Sequence, residues 1–198
     1  MNRLKLNKNE LRRQKDHLKR FERYLPMLLL KKQQLRLELD RISHERAAAE
    51  EALQIALQAF TSWKALWGED IELDARFGIR RVEVSWDNIA GVDIPVFEGI
   101  QFRLDDYDLF ATPLWTDRAL EDIQEITTLQ ARLIIVREQE RIIAREWRVT
   151  AQRVNLFEHI KIPEARNNIR TITVALTDQQ TTAFGWSLMT KRKLEAAS

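Results

Sequence analysis

Apolar residues recur at alternating spacings of three and four positions along the first third of the chain. This pattern, sustained over about nine heptads, predicts a long helix over residues 1–67 that buries one stripe against a partner helix. We expect Gly68 to end the helix, since glycine favours the position after a last helical turn. The seam consists of Leu4, Leu11, Leu18, Phe21, Leu25, Leu28, Leu35, Leu39, Ile42, Ala49, Leu53, Ala56, Phe60, Trp63 and Trp67. Four polar residues interrupt it: Asn7, Gln14, Lys32 and Arg46.

The segment over residues 68–116 has a different composition. It holds four of the five glycines and two of the four prolines of the chain. Alternating apolar and polar residues over 81–86 and 101–104 predict short strands that pair as a hairpin. Gly91 and Pro95 are assigned to a turn next to a strand, because both residue types favour turns.

A second seam begins after this segment and predicts a helix over residues 117–198. Two long seams separated by a small module bury each other when their helices run side by side. The predicted fold is therefore mostly α: a long antiparallel two-helix coiled coil with a small β-hairpin-containing middle module. The second seam consists of Ile126, Leu129, Leu133, Val136, Ile143, Trp147, Val154 and Phe157, followed by Ile169, Ile172 and Leu176. Glu140 and Thr150 are its polar interruptions.

Each predicted helix contains one proline. Pro26 and Pro163 each remove a backbone hydrogen bond, so we predict a bend of the helix axis at both positions. The helix is predicted to continue through Pro26 because the apolar seam stays in register across it.

The second helix is longer than the first, so about 15 residues at its end have nothing opposite them. Apolar side chains on a bare helix tip favour aggregation unless a partner covers them. We therefore predict that the tip is inserted into another protein. The predicted contact residues are Phe184, Trp186, Leu188, Met189, Lys191, Arg192 and Lys193.

Charge is distributed unevenly along the chain, although the net charge is only +2. Residues 1–67 carry 15 Lys and Arg against 8 Asp and Glu, whereas residues 68–116 carry 4 against 11. A general nucleic-acid binder would not cancel its basic surface with an equally acidic neighbour. The pattern instead favours separate basic and acidic surfaces for protein partners and argues against a nucleic-acid partner.

Catalytic and membrane-spanning functions find no support in the sequence. It has no Gly-rich phosphate-binding loop, and His17, His44 and His159 lack metal-ligand spacing. No apolar run approaches the roughly 20 residues that a membrane span needs. The absence of Cys is typical of a reducing compartment. We expect a non-enzymatic cytoplasmic protein without cofactor, metal or membrane insertion.

Three segments resemble the family of D subunits of V-type and A-type ATPases. The block from Arg153 to Pro163 (RVNLFEHIKIP) is similar to the family's "RVNALE…IP" motif, and Asn168 and Ile169 follow at the expected offset. The block from Asn88 to Pro95 (NIAGVDIP) resembles its "NIMGV.VP" motif, and residues 28–35 resemble its "LLK.KRD.L" element more loosely.

The resemblance implies the central rotor axle of a rotary ATPase, peripheral to the membrane. It implies that the paired terminal helices enter a ring of catalytic and non-catalytic head subunits (A and B). It also implies that a small F subunit binds the side of the axle and that a funnel subunit over the membrane rotor holds the lower end. Arg12 and Arg13 on the first helix could face acidic loops of that ring, or form a solvated face.

Two other classes of protein remain as alternatives. A generic coiled-coil adaptor or tether would need the heptads alone, but it has no reason to carry the two motif blocks. A basic-helix nucleic-acid binder would show salt-sensitive binding to DNA or RNA.

Overall fold

The structure is a computed structural model that describes residues 4–63, 77–104 and 115–196; the side chains of Trp63 and of residues 194–196 lie outside the description. The expected helix end at Trp67 and Gly68 also lies outside the described residues. The elements are α1 (Lys8–Trp63), β1 (Phe77–Ile89), β2 (Val92–Leu104), α2 (Thr116–Asn155), a π-helical turn (Leu156–Lys161) and α3 (Ile162–Ala196). A mostly α fold with a small hairpin between long helices is confirmed.

The chain divides into two compact units. Residues 33–148 form one, called here the central unit, and residues 1–32 with 149–198 form the other, the terminal unit. Helix α1 contributes to both. It begins at an N-cap, where Asn7 Oδ1 accepts a hydrogen bond of 2.7 Å from the Glu10 backbone N–H. The capping role of Asn7 explains why a polar residue stands at this position of the predicted seam.

The core of the central unit lies between α1 and α2. Leu35, Ile42, Val136 and Ile143 are buried together, all at positions of the predicted seams. The helices run antiparallel, because residues further along α1 contact residues earlier on α2. Arg36 lies over Trp147, Arg46 pairs with Glu140, and Glu50 pairs with Arg137.

Strands β1 and β2 form one antiparallel hairpin. The turn consists of Ala90 and Gly91, whose φ angles are 52° and 74°. Positive φ at both central residues matches a type I′ turn, which suits the twist of the flanking strands. Asn88 supports the turn: its side chain accepts from the Gly91 N–H at 3.1 Å and donates to Asp93 at 2.6 Å. Each strand has 13 residues and is much longer than the sequence pattern indicates.

The hairpin packs its turn end against the helices. Ile94 is buried in the same core cluster as Ile42 and Ile143, with Ile89 and Val92 beside it. The buried Gln139 of α2 donates a hydrogen bond of 2.6 Å to the carbonyl oxygen of Pro95. Pro95 lies within β2. Its carbonyl joins the hairpin to α2 through this hydrogen bond.

The buried side chains of the terminal unit include two positions of the predicted second seam, Val154 and Ile172. Val154, Ile162, Ala165 and Ile172 are buried. Two contacts cross from α1: the ring of Phe21 lies 5.2 Å from that of Phe157, and Glu22 forms an ion pair of 2.8 Å with Arg166.

The two prolines lie in different backbone settings. Pro26 lies inside α1, which continues past it. Pro163 lies in the first turn of α3, directly after the π-helical turn, where the Ile162 N–H donates to the carbonyl of Phe157. In an α-helix the ring of Pro163 would clash with the carbonyl four residues earlier, and the wider turn avoids that contact. A bend at either proline stays a prediction.

The fully buried seam positions should dominate stability. We expect Ile42→Ala or Ile143→Ala to lower the free energy of unfolding by about 2–5 kcal/mol, because each leaves a cavity in a closed core. Leu37→Ala removes a leucine that is 64% exposed on the same helix and is the matched control. Urea unfolding followed by helical circular dichroism measures the difference. Equal losses for Ile42→Ala and Leu37→Ala would contradict the buried seam.

Candidate partner-binding surfaces

The C-terminal end of α3 is exposed on every side. All residues from 177 to 193 are exposed, whereas Ile172, five residues earlier, is fully buried. Phe184 is 67% exposed, Trp186 73%, Leu188 45% and Met189 70%. Lys191, Arg192 and Lys193 follow them and are exposed as well. We call residues 177–193 the tip.

The apolar side chains of the tip lie on two sides of the helix. At 3.6 residues per turn, Phe184 and Leu188 share one side, and Trp186 and Met189 lie on roughly the opposite side. A helix that docks on a flat surface needs one apolar stripe, whereas an apolar helix surface all round fits burial on all sides. The tip therefore suits a receptor that surrounds it.

The tip and the turns before it offer few directional polar groups. Thr173, Thr177, Thr181, Thr182 and Thr190 each donate their hydroxyl hydrogen to the backbone carbonyl four residues earlier, at 2.7–3.0 Å. These hydroxyl donors are thus used within the helix. Asp178 is the only charged residue between positions 171 and 190. Up to Thr190 the tip carries a single charge and its large side chains are apolar, and three basic residues then end it.

Arg12 and Arg13, the two other predicted contact residues, lie near the start of α1. Both are exposed, and Arg13 forms an ion pair of 3.6 Å with Glu10 within the same helix. A surface pair of this kind is weak, so Arg13 keeps much of its capacity to bind an acidic partner.

A second apolar surface lies on the hairpin and was not recognised from the sequence. Ile79, Val82, Val84 and Trp86 are exposed, and the pairing register sets all four on one face of β1. Trp86 is the most exposed of them, at 71%. The alternation over residues 81–86 indicated the strand, but it could not show that these four side chains stay exposed among the described residues.

The described part of the chain holds no group of three or more His, Cys, Asp or Glu residues that could bind a metal ion. Within the same residues, no helix is both long and apolar enough to cross a membrane.

The two motifs that carry the family resemblance coincide with two unusual backbone sites. The Asn88–Pro95 motif forms the hairpin turn with its positive φ pair, and the Arg153–Pro163 motif contains the π-helical turn. Residues 10–192 match the family of ATP synthase D subunits. The chain belongs to this ATP synthase D-subunit family. The resemblance inferred from the motifs is thereby confirmed.

Several D-subunit relatives align over nearly the full chain. The V-type ATP synthase D subunit of Borreliella burgdorferi is 39% identical over 183 residues, which cover 92% of this chain and 91% of the relative. The protein of the same name from Chlamydia felis is 34% identical over 195 residues, covering 97% and 94%. That from Chlamydia trachomatis is 29% identical, covering 97% and 96%.

Gly91 and Gly185 should respond oppositely to the same substitution. Gly91→Ala places a side chain at φ 74° and should lower the free energy of unfolding by about 1–2 kcal/mol. Gly185→Ala should raise it by up to about 1 kcal/mol, because Gly185 is helical and an added Cβ would meet no atom within 4 Å. Thermal unfolding of both variants tests this. A neutral Gly91→Ala variant would contradict the positive φ at this turn.

Proposed function

We propose that this D subunit is the rotor axle of a V-type or A-type rotary ATPase. It transmits torque between an ATP-hydrolysing head and an ion-translocating membrane rotor. The observation that carries the proposal is the tip of α3, which exposes Phe184, Trp186, Leu188 and Met189 on two sides of one helix. Such a surface favours insertion into a surrounding receptor.

The chemistry of the tip suits a contact that must allow rotation. Ion pairs and side-chain hydrogen bonds have preferred directions and would have to break at each angle of the axle. Apolar contact is non-directional, so its free energy changes little as one surface turns against another. In the part of the tip before Lys191, the internally bonded threonines and the single charge at Asp178 keep the number of directional contacts low.

The central unit supports the transmission of torque. Its two helices are joined by a fully buried layer, with Leu35 and Ile42 on one side and Val136 and Ile143 on the other. Twisting one helix against the other would open this layer to water, which costs free energy in proportion to the apolar area exposed. Each state of the head would then favour one angle of the axle, and each angle would favour one state of the head.

We infer the partners from the family to which the chain belongs. We assign the catalytic and non-catalytic head subunits, A and B, as the receptor around the tip. Arg12 and Arg13 would face acidic loops of that receptor. We further assign a small F subunit to the side of this chain and a funnel subunit over the membrane rotor to its lower end. In this assignment the chain is non-catalytic and lies in the cytoplasm, peripheral to the membrane.

The tip can be tested by point substitution in the complete ATPase. We expect Phe184→Ala/Trp186→Ala to weaken binding to the assembled head by about 2 kcal/mol or more, roughly 30-fold, because two exposed aromatic anchors are lost. Leu37→Ala is the matched control, since Leu37 is similarly exposed but lies on α1 in the central unit. Head affinity and the coupling of ATP hydrolysis to ion transport are the two measurements. Full affinity and coupling in the double variant would refute the role of the tip.

A purification experiment separates the axle from a generic adaptor. The tagged chain, recovered from its native host, should bring down the head ATPase subunits and a small companion subunit, identified by mass spectrometry. A chain truncated after Thr182 should remain helical and soluble but recover less of the head. If the full chain recovers none of the ATPase components, the adaptor is favoured instead.

A further inference from the structure

Four charged side chains lie on or directly beside the seam in the central unit. They are called here the charge quartet: Arg46 and Glu50 on α1, and Arg137 and Glu140 on α2. Arg137 Nη2 donates to Glu50 Oε1 at 3.0 Å, and Arg46 Nη1 donates to the same oxygen at 2.9 Å. Arg46 Nε lies 2.8 Å from Glu140 Oε2 as an ion pair, although its N–H does not point along a hydrogen bond.

The quartet interrupts an otherwise apolar seam. Arg46 and Glu140 stand where the heptad pattern calls for an apolar residue on each helix, and both side chains are about one-third exposed or less. Arg137, through its hydrogen bond, and Arg46 lower the pKa of Glu50, so this carboxyl group stays ionised at neutral pH. Partly exposed ion pairs add little net stability, and apolar residues would pack as well at these positions. Stability alone therefore does not account for the quartet.

The order of the charges distinguishes the observed register from its nearest alternatives. Along α1 the order is Arg46 then Glu50, and antiparallel α2 sets Glu140 beside Arg46 and Arg137 beside Glu50. Sliding α2 by about 5 Å in one direction would bring Arg137 beside Arg46. Sliding it by about 5 Å in the other direction would bring Glu140 beside Glu50. A shift of one turn either way thus places like charges together.

A shift by a whole heptad is disfavoured for a different reason. It would set Arg46 opposite Leu133 or Trp147, and Glu140 opposite Leu39 or Leu53. All four of these residues lie on the apolar seams. A charged side chain placed among them would lose water without gaining a partner, which is costly. The apolar seam by itself repeats every heptad and does not distinguish these registers.

We propose that the charge quartet is a register lock, which holds α1 and α2 of the central unit at one axial alignment. Its function is to exclude axial slip, so that the two helices move as one body. A single polar layer that fixes register is the best-attested use of buried polar groups in coiled coils. The proposal does not depend on the rotary function, because it concerns the isolated chain.

Cross-seam disulfides can report the register, because the natural chain has no cysteine. Ala49 lies between Arg46 and Glu50 on α1, and Val136 lies next to Arg137 on α2. The two cross-helix ion pairs bring these two segments side by side. The reporter for the native register is Ala49→Cys with Val136→Cys. Reporters for one-turn slips in the two directions are Ala49→Cys with Leu133→Cys and Leu53→Cys with Val136→Cys. The yield of each disulfide under mild oxidation of the full chain gives the populations.

Inverting the charges on α1 alone should move the register. Arg46→Glu/Glu50→Arg keeps the composition but places like charges together in the native alignment. We expect the ratio of slipped to native disulfide to rise by about tenfold or more, since two attractive contacts become repulsive. The matched control Arg46→Glu/Glu50→Arg/Arg137→Glu/Glu140→Arg restores opposite charges and should restore the native ratio.

A second variant keeps the test decisive if the inverted chain folds poorly, as judged by circular dichroism. Arg46→Leu/Glu140→Leu makes the seam continuous and should fold at least as stably as the natural chain, yet should show more slipped disulfide. An unchanged native ratio in a folded variant, whether inverted or Leu-substituted, would overturn the proposal. The contacts of the hairpin with the helices, through Ile94 and the hydrogen bond from Gln139 to Pro95, would then be the feature that fixes the register.

Discussion

Burial of the apolar seam between α1 and α2 is the interaction on which the central unit depends. Leu35, Ile42, Val136 and Ile143 form its closed layer, and the hairpin packs Ile94 on that same layer. An isolated two-stranded hairpin is marginally stable in water, so the hairpin needs this support to hold its conformation. The seam thus joins the helices to each other and also positions the hairpin on them.

The features that could be predicted from the sequence are those fixed by local spacing. Heptad positions such as Leu35 and Ile143 are buried in the structure because a helix that repeats every 3.5 residues keeps them on one side. The hairpin followed from its alternating residues, and Gly91 occupies a position with positive φ that glycine accepts readily. The family resemblance came from motifs that coincide with the two irregular backbone sites.

The remaining features depend on contacts between distant segments. Arg46 and Glu140 each appear in the sequence as an isolated break in a seam, and only the alignment of the helices shows that they pair. The exposure of Trp86 depends on what lies opposite its face of the hairpin, which strand periodicity does not contain. The π-helical turn has no distinctive composition. Pro163 therefore indicated that the helix is irregular at this point, but not that the irregularity is a π-helical turn. The partners proposed for the tip belong to other chains, and local spacing in this chain carries no information about them.

The π-helical turn also changes how the seam must be counted. Buried positions before it fall at Thr150 and Val154, and those after it at Ile162, Ala165 and Ile172. The step from Val154 to Ile162 is eight residues, one more than a heptad. In a regular α-helix one additional residue would rotate every later side chain by about 100° around the axis. The wide turn absorbs that rotation within Leu156–Lys161 and returns Ile162 to the side of the helix that carries Val154. A one-residue deletion that converts this turn to regular α-helix would therefore keep Ile162 on that side.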